Sequence, residues 1–204
     1  MLTMTLPLQV RINSARHLIQ FALWTGLRTS ELVALNWGDI DFIRGVAYVN
    51  KAMTQRADTP ESTKTRAGKR EVKLLPLALA ALEAQKPFTW LAGNEIFQNP
   101  NTNERWEGDQ PIRKTLWTHA LKRGGVRYRK PYQTRHTYAS MMLSSGEHPM
   151  WVAKQMGHAD WTMIAKVYGR WMPDADPNAG NKAAERFGGN AQAPMQIDRH
   201  TGST

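Results

Sequence analysis

Apolar residues recur along most of this chain at the spacing of an α-helix. Residues 10–23 place them on one helix face, and the pattern ends near Gly26. Similar patterns predict a helix that Ser30 could cap and that runs through Leu35, together with helices over 77–85, 111–122, 134–143, 150–156 and 162–168. After Trp171 only a short amphipathic stretch remains, at 182–187. Ile112, Leu116 and Trp117 should face inward. The chain is therefore expected to be mostly helical.

A shorter part of the chain follows the alternation of a β-sheet. Val46 and Tyr48 alternate with their neighbours as in a strand. Residues 61–66 and 70–75 predict a hairpin that turns at Ala67-Gly68. Residues 87–109 are rich in Gly, Asn and Pro and predict a loop. The expected fold class is α+β, mainly helical, with a small antiparallel sheet.

Composition narrows the choice of partner. The 204 residues suit one ordinary domain, and the chain contains no cysteine, which excludes disulfides and thiolate zinc sites. A net charge of +10 favours a polyanion, with nucleic acid ahead of an anionic membrane surface. No apolar stretch approaches the ~20 residues that span a bilayer, and no signal peptide is evident, so a cytoplasmic protein is expected.

Five scattered residues carry the chemistry. Each stands in a distinctive local sequence: Arg28 in TGLRTSEL, Lys64 in STKT, Arg135 in YQTRHTYA, His158 at the end of QMGH, and Tyr168 ten residues later. A phosphodiester is anionic and has a poor leaving group, so an enzyme without metal must neutralise its charge and protonate the departing oxygen. Two arginines suit the first task, a lysine the second, and a tyrosine can form a covalent phosphotyrosine.

In this order the residues resemble the catalytic domain of the phage-integrase family of tyrosine recombinases, over roughly residues 15–172. The resemblance implies a small three-stranded sheet, Tyr168 as the nucleophile and a 3′-phosphotyrosyl intermediate. It leaves residues 1–14 as a leader or truncation point. Residues 173–204 become a C-terminal extension, and the last part of it, 188–204, is expected to be disordered.

Two departures from the family pattern matter. Where the family has His-x-x-Arg, this chain has Tyr132, which can donate a hydrogen bond to phosphate but is no base near neutral pH. His136 is not an obvious replacement, since on a helix it points ~100° away from Arg135, and we expect it to support the fold. Tyr168 also follows His158 by one residue more than is usual, which the turn at 159–161 would absorb.

Other polar residues are expected to assist. Glu31 lies three positions after Arg28 and can hold it from the same helix face. Arg66, Lys69 and Arg70 are expected to follow the DNA backbone. Lys64 is preferred over Lys69 as the catalytic lysine because the family places its lysine on the strand before the turn. No histidine or carboxylate cluster predicts a metal site, and no cofactor is expected.

Three functions remain open from the sequence. The first is a site-specific recombinase that integrates or excises a mobile element, acting on double-stranded DNA as a homotetramer and remaining a monomer without DNA. The second is a catalytically weak DNA-binding remnant of an integrase. The third is a tyrosine-type topoisomerase, which shares this residue set. A prokaryotic cytoplasm is the expected location, and no membrane is involved.

Overall fold

The structure, a computed structural model, describes residues 8–53, 61, 62, 68–172 and 180–187. Its first helices are α1 (Leu8–Thr25), α2 (Thr29–Ala34) and α3 (Pro76–Thr89), followed by α4 (Asp109–Ile112), α5 (Thr118–Arg123), α6 (Gln133–Ser144), α7 (Pro149–Met156), α8 (Thr162–Tyr168) and α9 (Asn181–Phe187). The strands are β1 (Ile40–Asp41), β2 (Val46–Val49), β3 (Lys51–Ala52), β4 (Glu61–Ser62) and β5 (Arg70–Lys73). The mainly helical α+β class predicted from the sequence is confirmed.

The strands form a three-stranded antiparallel sheet in the order β1-β2-β5 and a two-stranded sheet of β3 and β4. The predicted pairing of residues 61–66 with 70–75 is wrong for the described residues. Here β4 pairs with β3, whereas β5 pairs with β2 in a register that sets Val49 opposite Arg70. This register buries Ala47 and Val72 together on the core face. Ala67 of the predicted turn lies outside the described residues, which resume at Gly68.

The second helix begins earlier than expected. Arg28, not Ser30, is the N-cap, and its backbone is extended with φ −66° and ψ 147°. The reason is Glu31, whose Oε2 accepts the Arg28 backbone N–H at 2.9 Å. A carboxylate that reaches back in this way must stand three residues after the cap, so the side chain of Glu31 sets where α2 begins.

Two hydrophobic clusters hold the elements together. The first joins α1, α2, the three-stranded sheet and α3, and buries Phe21 and Leu82 completely. The second lies among α6, α7 and α8 around Tyr138 and Met156. Trp24 of α1 packs against both clusters. The two clusters thereby fix the end of α1 beside α6 and α7, where the candidate site lies.

The segment predicted as a helix over 111–122 is helical but interrupted. It consists of α4, a π-helical turn at Arg113–Trp117, and α5. The buried positions are those predicted, Ile112, Leu116 and Trp117. Thr118 closes this wider turn, because both its backbone N–H and its hydroxyl donate to the carbonyl of Arg113, five residues earlier, the hydroxyl at 2.8 Å.

The last described segment is α9, a short exposed helix in a unit of its own. It contains the amphipathic stretch at 182–187, and Phe187 within it is exposed. Residues 188–204, predicted to be disordered, lie outside the described residues. Among the helices described, none combines the length and the apolar character that crossing a membrane requires.

Gly26 lies between α1 and α2, where both the backbone conformation and a close neighbour favour glycine. Its φ is +61°, and a Cβ at this position would lie 2.4 Å from Cδ1 of Tyr138. We expect Gly26→Ala to lower the free energy of unfolding by roughly 2–4 kcal/mol, because it adds left-handed backbone strain and overpacks the second cluster. Urea denaturation followed by circular dichroism measures this change.

Gly125→Ala is the matched control for Gly26→Ala. Gly125 has nearly the same φ, +63°, but a Cβ added there would meet no heavy atom within 4 Å. Gly125→Ala should lower the free energy of unfolding by only about 1–2 kcal/mol, the cost of the left-handed backbone. If the free energy of unfolding fell equally in the two variants, the close approach of Tyr138 would not contribute to the effect of Gly26→Ala.

Candidate functional site

Glu31 lies at the centre of a buried ion-pair network. Its side chain is 2% exposed, and its Oε1 accepts from Arg28 Nη1 at 2.7 Å and from Arg70 Nη1 at 3.0 Å. Arg70 Nη2 donates to Oε2 at 2.9 Å. Burial alone would raise the pKa of Glu31, but the hydrogen bonds and charge of Arg70, followed by those of Arg28, outweigh it and hold the pKa below its usual range. Glu31 is therefore ionised and holds both guanidinium groups in place.

The two arginines bound by Glu31 differ in access. The side chain of Arg28 is 36% exposed, so an anion can approach it from solvent. The side chain of Arg70 is 3% exposed, and its Nε donates to the Gln155 carbonyl at 2.7 Å. All of the side-chain nitrogens of Arg70 bind protein acceptors, and its expected contact with the DNA backbone stays a prediction. Its role is to hold Glu31 and the end of α7.

The other basic residues predicted on this segment are less defined. Lys69 is exposed, which leaves its predicted contact with the DNA backbone a prediction. Lys64, the predicted catalytic lysine, and Arg66 lie outside the described residues.

Arg135 is almost completely buried yet charged. It is 1% exposed, and its Nη1 donates to the Gly26 carbonyl at 2.8 Å, while Nη2 donates to the Met156 carbonyl. Burial first, and then the positive charge of Arg28, lowers the pKa of Arg135 to about 10. It remains a cation at neutral pH. Its guanidinium ties the end of α1 to the end of α7 and faces the same region as Arg28, whose Nη2 approaches the Gly157 carbonyl at 3.5 Å.

His158 stands beside Arg135 at the end of α7. Gly157 caps the helix in the left-handed conformation, with φ 70°, and directs the chain so that His158 Nε2 lies 3.0 Å from Arg135 Nη2. Burial, followed by the charges of Arg135, Arg28 and Arg70, lowers the pKa of His158 to about 4. The imidazole is therefore neutral at physiological pH without a bound anion, and Nε2 is free of a proton when it accepts from Arg135.

Tyr168 closes α8 within the second hydrophobic cluster and is 3% exposed. Its hydroxyl lies 2.6 Å from Nδ1 of His136 on α6. Burial raises the pKa of Tyr168, and the charge of Arg135 partly opposes this. The sequence assigned His136 only a supporting role, because it points away from Arg135. The structure adds a direct contact with the predicted nucleophile, which the helical spacing of α6 did not reveal.

Tyr132, which replaces the family histidine, stands immediately before α6. It is 45% exposed, and its ring meets that of His136 edge to face, with centroids 5.3 Å apart. It also borders a cleft of about 360 Å³ next to Arg28. The remaining residues that line this cleft are Thr29, Ser30, Met53, Asp109, Arg113, Lys130 and Pro131.

Sequence reasoning missed Arg113 and Lys130 as cations of this cleft. The signal available for Lys130 was the run Arg127, Arg129 and Lys130 before Pro131, since clustered basic residues often bind phosphate. Arg113 carried no such signal, because it is one basic residue in an ordinary helix pattern.

The arrangement brings the guanidinium groups of Arg28 and Arg135 and the neutral imidazole of His158 together near the ends of α1 and α7, and His136, next to Arg135, binds the hydroxyl of Tyr168. These groups suit nucleophilic attack on a phosphodiester. Among the described residues, no group of three or more His, Cys, Asp or Glu is placed to hold a metal ion.

The chain is similar to known proteins over most of its length. Residues 7–172 match the Phage integrase family. The chain is 35% identical over 189 residues to IntQ of Escherichia coli (strain K12), whose name marks it as a suspected defective protein, covering 80% of this chain and 47% of that one. It is 34% identical over 186 residues to the prophage integrase IntR of the same strain, covering 79% and 44%. The chain therefore spans about half the length of these relatives.

Solved structures share the fold. The Tn1549 transposon integrase, in complex with transposon right end DNA, superposes with a TM-score of 0.65 at 20% identity, covering 86% of this chain and 59% of that one. A λ integrase dimer bound to a core site superposes with a TM-score of 0.53 at 17% identity, covering 83% and 58%.

Proposed function

Because this chain belongs to the phage integrase family of tyrosine recombinases, we propose that it is the catalytic domain of a site-specific recombinase that cuts and rejoins DNA through a 3′-phosphotyrosyl intermediate. The observation that carries the proposal is the proximity of Arg28, Arg135 and His158 near the ends of α1 and α7, with the Tyr168 hydroxyl bound to His136 of α6. The reaction would serve integration or excision of a mobile element.

Each group has a distinct task in this reaction. Arg28 and Arg135 bind the non-bridging oxygens and stabilise the charge that develops on the pentavalent phosphorus. Tyr168 attacks phosphorus, and Lys64 gives a proton to the departing 5′ oxygen. His158 donates to a non-bridging oxygen once the bound phosphate offsets the charge of Arg135. The phosphotyrosine stores the energy of the broken bond, so that rejoining requires neither ATP nor a metal.

The proposed partner is double-stranded DNA, bound by a homotetramer that assembles on it from monomers. The related structures of the Tn1549 and λ integrases contain DNA, and the λ complex is a dimer. The net charge of +10 supports binding to a polyanion, and the bacterial relatives support a prokaryotic cytoplasm as the location.

A second candidate is a DNA-binding remnant with little turnover. The observation that favours it is Tyr132, since a phenol cannot exchange protons at neutral pH as the family histidine can. The kinship with IntQ, a suspected defective protein, agrees with this candidate. It predicts DNA binding without cleavage.

A suicide-substrate assay separates the two candidates. The chain is incubated with a pool of duplexes that carry a nick and a randomised sequence beside it. After attack, the short strand with the free 5′ hydroxyl, which ends at the nick, diffuses away. Rejoining is then impossible, and the covalent complex accumulates. We expect an SDS-resistant adduct whose DNA can be sequenced to reveal the preferred site. Retardation of the same duplexes on native gels with no adduct would instead identify the remnant.

A further inference from the structure

The hydroxyl of the proposed nucleophile is engaged by a side chain outside the five residues that the family motif identifies. His136 Nδ1 and the Tyr168 hydroxyl oxygen lie 2.6 Å apart, a short distance for an O–H···N hydrogen bond. The two rings are tilted, with centroids 5.7 Å apart, and the contact joins α6 to α8 across the second hydrophobic cluster. Geometry alone therefore makes Nδ1 the nearest proton acceptor for Tyr168 in the described part of the chain.

Nothing else among the described groups near this hydroxyl suits the removal of its proton. Tyr132 stands where the family has a histidine, and a phenol is protonated at neutral pH. His158 directs Nε2 at the cation Arg135. His136, in contrast, contacts the reacting oxygen directly.

We propose that His136 is a catalytic residue of this chain, the general base that accepts the Tyr168 proton as the phenol oxygen attacks phosphorus. The inference rests on the proposed function and concerns the same site. It assigns to a residue on α6 a task that Tyr132 cannot perform.

The proton and electron pairs balance in this step. His136 begins as the neutral tautomer with hydrogen on Nε2, and the lone pair of Nδ1 takes the phenolic proton. The oxygen of Tyr168 forms the bond to phosphorus, and the bond from phosphorus to the 5′ oxygen breaks. The departing oxygen takes a separate proton from Lys64. On rejoining, the imidazolium of His136 returns its proton to the phenol oxygen.

The surroundings of His136 favour the neutral form that a base needs. The titratable groups that face it are Tyr132 and Arg135 from its own segment and Tyr168 from α8. Burial, followed by the charge of Arg135, holds the pKa of His136 below that of an ordinary histidine. Tyr132 meets the imidazole edge to face, an arrangement that fixes the ring plane. A bound phosphodiester places negative charge near Arg135 and makes the imidazole more basic when it must accept the proton.

The decisive variant is His136→Asn. The amide oxygen of asparagine can occupy the place of Nδ1 and accept the same hydrogen bond, but it does not titrate. We expect adduct formation to slow by about a hundredfold or more, the usual contribution of general-base catalysis. The parental rate should fall at acid pH, as His136 is protonated below its lowered pKa, and this acidic limb should be absent from the variant. His119→Asn, an exposed histidine on α5, is the matched control and should keep the parental rate and pH profile.

A second substrate separates the base from the acid. When sulfur replaces the 5′ bridging oxygen, the leaving group departs without a proton. A variant that lacks the acid is then rescued, whereas one that lacks the base is not. We expect His136→Asn to remain slow on the sulfur substrate. Restoration of the parental rate, or an unchanged rate and pH profile on the ordinary substrate, would overturn the assignment of His136 while leaving the proposed function intact.

The hydrogen bond can also be tested without DNA. Nitrogen NMR of ¹⁵N-histidine-labelled protein distinguishes the two tautomers of His136, and we expect hydrogen on Nε2 with Nδ1 as the acceptor. Tyr168→Phe should change the Nδ1 resonance. A proton on Nδ1 of the neutral imidazole would overturn the inference, since the nitrogen would then donate to Tyr168. Failure of the parental chain to form any adduct would overturn the proposed function and this base with it.

Discussion

Replacing Tyr168 with phenylalanine should abolish the covalent protein–DNA adduct while duplex binding stays within about twofold. The phenol oxygen is the atom that forms the bond to phosphorus, and phenylalanine lacks it. The buried ring of Tyr168 also packs in the second hydrophobic cluster, and phenylalanine keeps that contact. Denaturing gels with nicked duplexes measure the adduct, and fluorescence anisotropy measures binding.

Tyr138 provides the control for this substitution. It is completely buried, and its hydroxyl makes no hydrogen bond with the described residues. Burial raises the pKa of the Tyr138 phenol, and no base among the described residues contacts its oxygen, so this oxygen is a poor nucleophile. Tyr138→Phe should therefore form the adduct at the parental rate. An adduct that persists in Tyr168→Phe and disappears in Tyr138→Phe would move the nucleophile to Tyr138.

The helices could be predicted from sequence because their apolar positions repeat within a few residues. The patterns over 134–143, 150–156 and 162–168 lie within α6, α7 and α8, or coincide with them. Strand pairing could not be predicted in the same way. The partner of β5 is β2, more than twenty residues away, and no local pattern distinguishes it from the nearer segment at 61–66.

The site shows the same division between local and distant contacts. The pairing of Arg28 with Glu31 follows from their spacing and is present. The enclosure of Arg70 by Glu31 and Gln155 depends on how β5 meets α2 and α7, so the sequence predicted only a contact of Arg70 with the DNA backbone. The contact of His136 with Tyr168 likewise depends on how α6 and α8 pack.

Arg135→Lys should slow adduct formation by about a hundred- to a thousandfold, the usual loss when one donor to a developing oxyanion is removed. A lysine keeps the positive charge, but its single ammonium cannot bind the Gly26 and Met156 carbonyls and also face His158. The cation would then shift within the site, and the phosphate would lose a fixed fork of donors. Single-turnover cleavage of the nicked duplex at saturating protein measures the rate.

Arg135→Lys should also destabilise the fold, so its kinetic effect needs a control with the same structural loss. Arg105 provides one, because its guanidinium binds the Val33 carbonyl at 2.7 Å, Asn36 Oδ1 at 2.7 Å and Glu95 at 3.0 Å. Arg105→Lys should lower the free energy of unfolding by an amount similar to Arg135→Lys, about 1.5–3 kcal/mol. It should nevertheless cleave at the parental rate below its unfolding temperature. If the two variants lost equal cleavage activity, Arg135 would be a structural residue, and phosphate stabilisation would rest on Arg28 and the cations of the cleft.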